Sequence, residues 1–196
     1  MSRRSTHTYF LFLLTFPILS TATTILSAVE NTLSSHSGAS VTVVGHSLGA
    51  ALALLDAVYL QLHLPSSTSL KIIGYGMPRV GNQAFADYVD AQITSLDSGA
   101  GLTRINNKED PVPILPGMFL GFHHPSGEIH IQDSGDWDAC PGMLNMCYAL
   151  VISVNNAFNI GQDNPSTLCI VGDVPNIFES DEADHDGPYD GVEMGC

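Results

Sequence analysis

A serine between two glycines lies in the segment Gly45-His46-Ser47-Leu48-Gly49, which has the pattern G-x-S-x-G. The β-branched run VTVVG leads into this segment, and a stretch rich in Ala and Leu follows it. Where a strand turns sharply into a helix, glycines two positions from a serine remove side chains that would collide, so the hydroxyl is exposed. The helix N-terminus also directs backbone N–H groups to this point, and Leu48 N–H is a candidate oxyanion donor. The pattern predicts a nucleophile elbow with Ser47 as the nucleophile.

A serine nucleophile needs a histidine that accepts its proton and a carboxylate that orients the histidine. Following an elbow of this kind, the chain order is serine, acid, histidine. Asp110 lies just beyond a predicted strand, at the carboxyl end where Ser47 is also expected. Asp110 is therefore the preferred acid, and its neighbour Glu109 is the competitor.

The base has to be chosen among eight histidines. His46 adjoins the serine, but it occupies the variable position of the elbow, where its ring is not expected to face the serine hydroxyl. His124 follows the acid closely, and His185 lies near the C-terminus. Spacing alone does not separate these two.

Strand patterns and helix patterns alternate through the first half of the chain, which predicts a mainly parallel α/β sheet with crossover helices. Beyond residue 108 the helical patterns fade. The predicted helices are 22–36, 48–62 and 83–93, and the predicted strands are 41–45, 70–75, 102–106 and 128–132.

The composition predicts one domain in the 196-residue chain, because 44% hydrophobic residues suffice for one core. The formal net charge of -14 argues against nucleic acid and anionic membrane surfaces as partners and favours a neutral substrate. Eight of the 20 acidic residues fall within the last 24 positions, where most of them are expected to form a solvated tail.

The N-terminus has the order of a secretory signal: Arg3-Arg4, an apolar run over 9–19 and then small residues. This run is too short for a transmembrane segment. The alternative is that residues 1–20 come from a translated intron or a misplaced start. The sequence thus predicts a signal-like or wrongly assigned segment over 1–20, a catalytic domain over 21–196 and an extracellular location.

The cysteines lack the spacing of a zinc site, so in a secreted chain they are expected to form disulfides. Cys140 with Cys169 is the preferred pair. The uncharged block 143–161 interrupts a loop rich in Gly, Asp and Pro. A buried strand or helix would account for it, but our hypothesis is that this block is a retained intron.

Several segments in this order resemble the fungal class 3 lipases, the Rhizomucor-like or Thermomyces-like triacylglycerol lipases, and in particular their basidiomycete branch. The matching segments are VTVVGHSLGAALALLDAVYL (41–60), GYGMPRVGNQAFADYV (74–89), INNKEDPVPILP (105–116), FHHPSGEIHI (122–131) and DHDGPYDGVEMGC (184–196). The resemblance implies an α/β-hydrolase fold with Ser47 as nucleophile, Asp110 as acid and His185 as base. His123 and His124 would then be loop residues that shape the pocket.

The resemblance further implies hydrolysis of carboxylic esters, with acylglycerols as substrates at an oil–water interface and no metal or organic cofactor. The chain is expected to be a monomer without a transmembrane segment. A feruloyl esterase or another soluble carboxylesterase is the alternative within the same class, and a catalytically inactive lipase fragment is the alternative outside it.

The chain departs from this family before the elbow, where only 44 residues precede Gly45. Family members have many more, so several strands, the interfacial lid and the first oxyanion donor have no counterpart. We therefore expect an N-terminally truncated member. Losing one oxyanion donor typically costs about 10²–10³ in rate.

Overall fold

The structure, a computed structural model, describes residues 6–140 and 162–194. The hypothetical insert 143–161 lies outside the described residues. The helices are α1 (Thr6–Ser35), α2 (Leu48–His63), α3 (Gln83–Val89), α4 (Ile170–Asp173) and α5 (Ala183–Asp186). The strands are β1 (Val41–His46), β2 (Leu70–Tyr75), β3 (Gly81–Asn82), β4 (Leu102–Asn107), β5 (Phe122–His123), β6 (Glu128–Ile131) and β7 (Trp137–Ala139).

Within the described residues, five strands form one sheet in the order β1, β2, β4, β6, β7. The first four run parallel, and β7 pairs antiparallel with β6. The mainly parallel sheet with crossover helices is therefore confirmed. Because parallel strands have their carboxyl ends at the same edge, the turn after β1 and the loop after β4 emerge at one edge of the sheet, with β2 between their strands.

The two faces of the sheet are covered differently. On one face, Leu54 of α2 and Val89 of α3 pack with Ile72 and Leu102 of the sheet. On the other face, Tyr189 from the C-terminal segment packs against the strands β4 and β6. The C-terminal residues are thus part of the core, and this places the segment that carries His185 against the carboxyl ends of the strands.

The first helix is longer than the sequence predicted. α1 begins at Thr6, whereas the apolar periodicity predicted a helix only over 22–36. The run over 9–19 is rich in Leu and Phe. Because Leu has a high helix propensity, a segment with the composition of a signal also favours a helix. Its role as a signal stays a prediction. No helix within 6–140 and 162–194 has the length and apolar character needed to span a bilayer.

The acidic C-terminal segment is only partly a solvated tail. Asp184 accepts a hydrogen bond from the Glu109 N–H at 3.3 Å and lies 3.8 Å from the Lys108 ammonium. The Asp181 N–H donates to the Glu109 carbonyl at 2.9 Å. These contacts tie the segment before His185 to the loop that follows β4, so some of these carboxylates have a structural role.

Candidate active site

Ser47 lies on a strained turn between β1 and α2. Its backbone has φ 56° and ψ -131°, a conformation that L-residues rarely adopt, and its N–H donates to the Tyr75 carbonyl at 2.9 Å. A Cβ on Gly45 would lie 2.3 Å from the Gly49 carbonyl oxygen, so the crossing of strand and helix requires glycine at 45. The local geometry is that of a nucleophile elbow.

The structure brings Ser47, His185 and Asp110 into one hydrogen-bond chain. His185 Nε2 is 2.8 Å from Ser47 Oγ, and His185 Nδ1 is 2.9 Å from Asp110 Oδ2 and 3.1 Å from Asp110 Oδ1. A carboxylate only accepts hydrogen bonds, so Nδ1 carries the proton and Nε2 is free to accept from the serine hydroxyl. The arrangement can remove a proton from Ser47 and orient the ring that takes it.

Asp110 is completely buried at the end of the loop that follows β4. Burial raises the pKa of Asp110 above its ordinary value, while hydrogen bonds from His185 and from the Val112 N–H oppose the increase. The Val112 bond is 2.8 Å long. By contrast, the competing acid Glu109 is exposed, and the carboxylate that bonds His185 Nδ1 is that of Asp110.

His185 is held in place through its neighbours in α5, a helix of four residues. Asn107, the last residue of β4, donates through its side chain to the Asp184 carbonyl at 2.9 Å. Together with the contacts of Asp184 to the loop at 108–109, this bond joins the segment of the base to the strand that carries the acid. The choice between His124 and His185 depends on this long-range packing.

Three further residues surround the chain of hydrogen bonds, and the sequence did not assign them to it. A Cβ on Gly76 would lie 2.9 Å from Asp110 Oδ2 and 3.0 Å from His185 Cε1. Tyr189 Oη donates to the His185 carbonyl at 3.3 Å, and burial raises the pKa of Tyr189 well above its ordinary value, so the phenol keeps its proton. His46 also bonds this carbonyl. The available sequence signals were a glycine directly after β2 and the spacing His-x-x-x-Tyr.

His123 and His124, which were expected to shape the pocket, make contacts with the surrounding loops. His124 is completely buried, and its Nε2 donates to the Pro113 carbonyl at 2.7 Å. His123 Nδ1 lies 3.1 Å from the carboxylate of Asp163. Neither histidine lines the apolar groove described next.

An apolar groove of about 690 Å³ lies next to the loop that carries the acid. Ile114, four residues after Asp110, is part of its wall. Phe119 of this wall is 90% exposed, and Phe178, which follows the wall residue Ile177 in the chain, is 91% exposed. The other wall residues are Arg79, Leu115, Pro116, Gly117, Met118, Leu120, Val171, Val174, Pro175, Asn176 and Ile177.

Cys140 and Cys169 form a disulfide, as preferred from the sequence. Glu128 lies close to both sulfurs, and these three side chains are a cluster of potential metal ligands among the described residues. The sulfurs are bonded to each other, however, and the Glu128 carboxylate accepts from Arg104 at 3.1 Å and from the Ile170 N–H at 2.6 Å. The two sulfurs and the Glu128 carboxylate are therefore already used in the disulfide, the ion pair and the backbone hydrogen bond.

Comparisons with known proteins place this geometry in a family. The model of the family "Lipase (class 3)" matches residues 2–120. A "Secreted mono- and diacylglycerol lipase 3" of Gibberella zeae is 32% identical over 176 residues, which cover 88% of this chain and 49% of the relative. A "Secreted mono- and diacylglycerol lipase MDL2" of Malassezia globosa is 39% identical over 115 residues, or 58% of this chain and 36% of the relative. The matches thus span at most about half the length of these relatives.

The fold comparison agrees with the sequence comparison. The solved structure of lipase II from Rhizopus niveus superposes with a TM-score of 0.65 and 28% sequence identity, covering 91% of this chain and 59% of that structure. The sheet and its elbow thus have the α/β-hydrolase fold. Because the family model covers more than half of the residues, this chain belongs to the class 3 lipases.

Proposed function

We propose that this chain hydrolyses carboxylic ester bonds of acylglycerols, with Ser47 as nucleophile, His185 as general base and acid, and Asp110 as the carboxylate that orients His185. The hydrogen-bond chain from Ser47 Oγ through His185 to Asp110 carries this proposal, because all its distances lie between 2.8 and 3.1 Å. The position of the serine on a strained elbow supports it independently.

The proposed reaction has two steps. Ser47 Oγ attacks the ester carbonyl while His185 Nε2 takes the hydroxyl proton, and the alcohol leaves with this proton when the C–O bond breaks. Water then attacks the acyl-enzyme, His185 takes a proton from the water, and the acid is released as Ser47 regains its hydrogen. The Leu48 N–H at the start of α2 donates to the oxyanion in both steps. These steps use no metal or organic cofactor.

The groove supports a substrate with an apolar acyl chain, because its wall residues are predominantly apolar and Ile114 among them follows Asp110 by only four positions in the chain. Phe119 and Phe178, both almost fully exposed, would contact lipid molecules at an oil–water interface. The names of the relatives favour partial glycerides as substrates. The formal net charge of -14 fits a neutral lipid rather than an anionic partner.

We further propose an extracellular location. The relatives are named as secreted lipases, and the disulfide between Cys140 and Cys169 is typical of an oxidising compartment. The monomeric state stays a prediction.

Covalent labelling tests the proposal on the folded chain. A fluorophosphonate probe is expected to modify the chain once, and peptide mass spectrometry is expected to locate the adduct at Ser47. Ser47→Ala should abolish labelling, whereas Ser134→Ala, a change at an exposed turn, should leave it intact. A folded chain that never reacts with the probe would refute the proposed activity and favour an inactive fragment.

Hydrolysis of p-nitrophenyl esters then distinguishes the classes of substrate. A lipase is expected to prefer long acyl chains and emulsified glycerides, whereas a soluble carboxylesterase is expected to prefer short chains or aromatic acids. Preference for short, dissolved esters would contradict the role assigned to the groove and its exposed aromatic residues.

A further inference from the structure

The proposed general base, His185, lies on a very short helix. His185 belongs to α5, which has four residues, and the loops around this helix carry mainly exposed side chains. A single helical turn is not stable by itself, because the conformational entropy lost in forming it exceeds the stabilisation from its few hydrogen bonds. The position of the imidazole therefore depends on contacts from outside the turn.

Two side chains bind the backbone carbonyl of His185. His46 Nε2 lies 2.8 Å from this oxygen, and Tyr189 Oη lies 3.3 Å from it. A carbonyl only accepts hydrogen bonds, so Nε2 of His46 carries a proton and donates it. The rings of His46 and His185 also lie against each other, with centroids 4.6 Å apart and an interplanar angle of 30°.

The shorter of these contacts comes from the residue directly before the nucleophile. The backbone at Ser47 is fixed by its positive φ and by the bond from its N–H to the Tyr75 carbonyl. Because His46 and Ser47 are adjacent in the chain, this rigid elbow determines where the His46 side chain starts. A displacement of α5 relative to the elbow would have to break the bond between His46 and His185.

From these contacts we propose that His46 is a positioning residue: its Nε2–H holds the backbone of His185 so that the base stays within hydrogen-bonding distance of Ser47 Oγ. This inference rests on the proposed function, and it assigns a role to the variable position of the G-x-S-x-G pattern. The elbow then positions the base as well as the nucleophile. The hydrogen bond of His46 goes to the backbone carbonyl of His185, not to Ser47 Oγ, to the ring nitrogens of His185 or to the Asp110 carboxylate.

Three substitutions separate positioning from simple packing. His46→Gln keeps a donor near the place of Nε2, since the Gln side chain reaches as far as the ring. His46→Asn is too short to reach the carbonyl, and His46→Phe keeps the ring but has no donor. His63→Phe is the matched control, because His63 also faces a carbonyl, that of Tyr59 at 2.7 Å, and stacks on a ring 4.1 Å away, but does so on the exposed end of α2.

The second-order rate of fluorophosphonate labelling, together with kcat and KM for a p-nitrophenyl ester, gives the readout. We expect His46→Phe and His46→Asn to lower the labelling rate and kcat about 10- to 100-fold with KM within about twofold, because a misplaced base slows proton transfer without changing substrate binding. His46→Gln should stay within about threefold of the parent chain. His63→Phe should have no effect on either quantity.

Equal rates for the parent chain and for His46→Phe or His46→Asn would overturn the inference. An equal fall in all three His46 variants, with KM rising in step, would also overturn it and indicate packing alone. Circular dichroism of each variant shows whether it is folded, and the Gln and Asn pair decides the question if the Phe variant does not fold. A parent chain that does not label would refute the proposed function instead.

Discussion

Gly76, the first residue after β2, lies close to both the Asp110 carboxylate and the His185 ring. Its φ of +52° is in the left-handed region, which a glycine adopts without steric cost. A side chain at this position would also reach the space of Tyr189, since an added Cβ would lie 2.9 Å from the phenol oxygen. The close packing of Asp110, His185 and Tyr189 therefore requires a residue without a side chain at position 76.

Gly76→Ala is expected to reduce catalysis far more than stability. The new Cβ would push apart Asp110 and His185, so we expect the labelling rate of Ser47 to fall at least about 10-fold. Gly38→Ala is the control, because Gly38 has a φ of +81° but open space around its Cβ position. Both variants should lose about 1 kcal/mol of stability from the positive φ. An unchanged labelling rate in Gly76→Ala would contradict the crowded geometry.

A buried ion pair, together with its hydrogen bonds to the backbone, connects the segments that form the wall of the apolar groove. Arg79 donates through Nε to the Asp163 carboxylate at 2.7 Å and through Nη1 to the carbonyls of Ile114 and Pro116. Asp163 also accepts from the backbone N–H of His124 at 3.1 Å. The guanidinium and the carboxylate thus join the loop after β4 to the segment before α4, and these two segments carry most of the groove.

Asp163→Asn should destabilise the fold strongly, because it leaves the charge of Arg79 buried without a counter-charge. The exposed fractions of the two side chains are 2% and 3%, so water does not compensate. We expect a loss of about 3–5 kcal/mol in the free energy of unfolding, measured with urea. Asp136→Asn, at an exposed turn, is the control and should change stability by less than about 0.5 kcal/mol. A small effect at Asp163 would mean that the ion pair contributes little.

Complete burial of His124 couples folding to pH. Burial lowers the pKa of His124 well below its ordinary value, and the nearby guanidinium groups of Arg104 and Arg79 lower it further. The unfolded chain therefore binds a proton near pH 6.5 that the folded chain does not bind. Stability should rise with pH through this range and should be lost as the pH falls below about 6.5.

His124→Gln tests this coupling, since Gln keeps a donor for the Pro113 carbonyl but does not titrate. Each pH unit below the unfolded-state pKa should cost the parent chain up to about 1.4 kcal/mol more than the variant. The measurement is urea unfolding of both chains at pH 7 and pH 5, with His36→Gln as the exposed control. Parallel loss of stability in the parent chain and in His124→Gln would contradict the assignment to His124.

Short-range patterns were sufficient to predict the elbow and the main elements of the fold. The strand β1, the turn at Ser47 and the helix α2 are adjacent in the chain, so their residue types decide the geometry locally. Asp110 was preferred because it follows a strand whose carboxyl end must lie at the same edge. The family resemblance, rather than spacing, indicated His185.

The meeting of His185 with Ser47 depends on long-range packing, because 138 positions separate the two residues in the chain. No local pattern describes how the segment before His185 packs on the loop after β4, or that His46 and Tyr189 meet at one carbonyl. The closeness of Gly76 to Asp110 also depends on the alignment of neighbouring strands. Such contacts arise from burial of apolar surface across the whole sheet, and the periodicity of a single segment does not encode them.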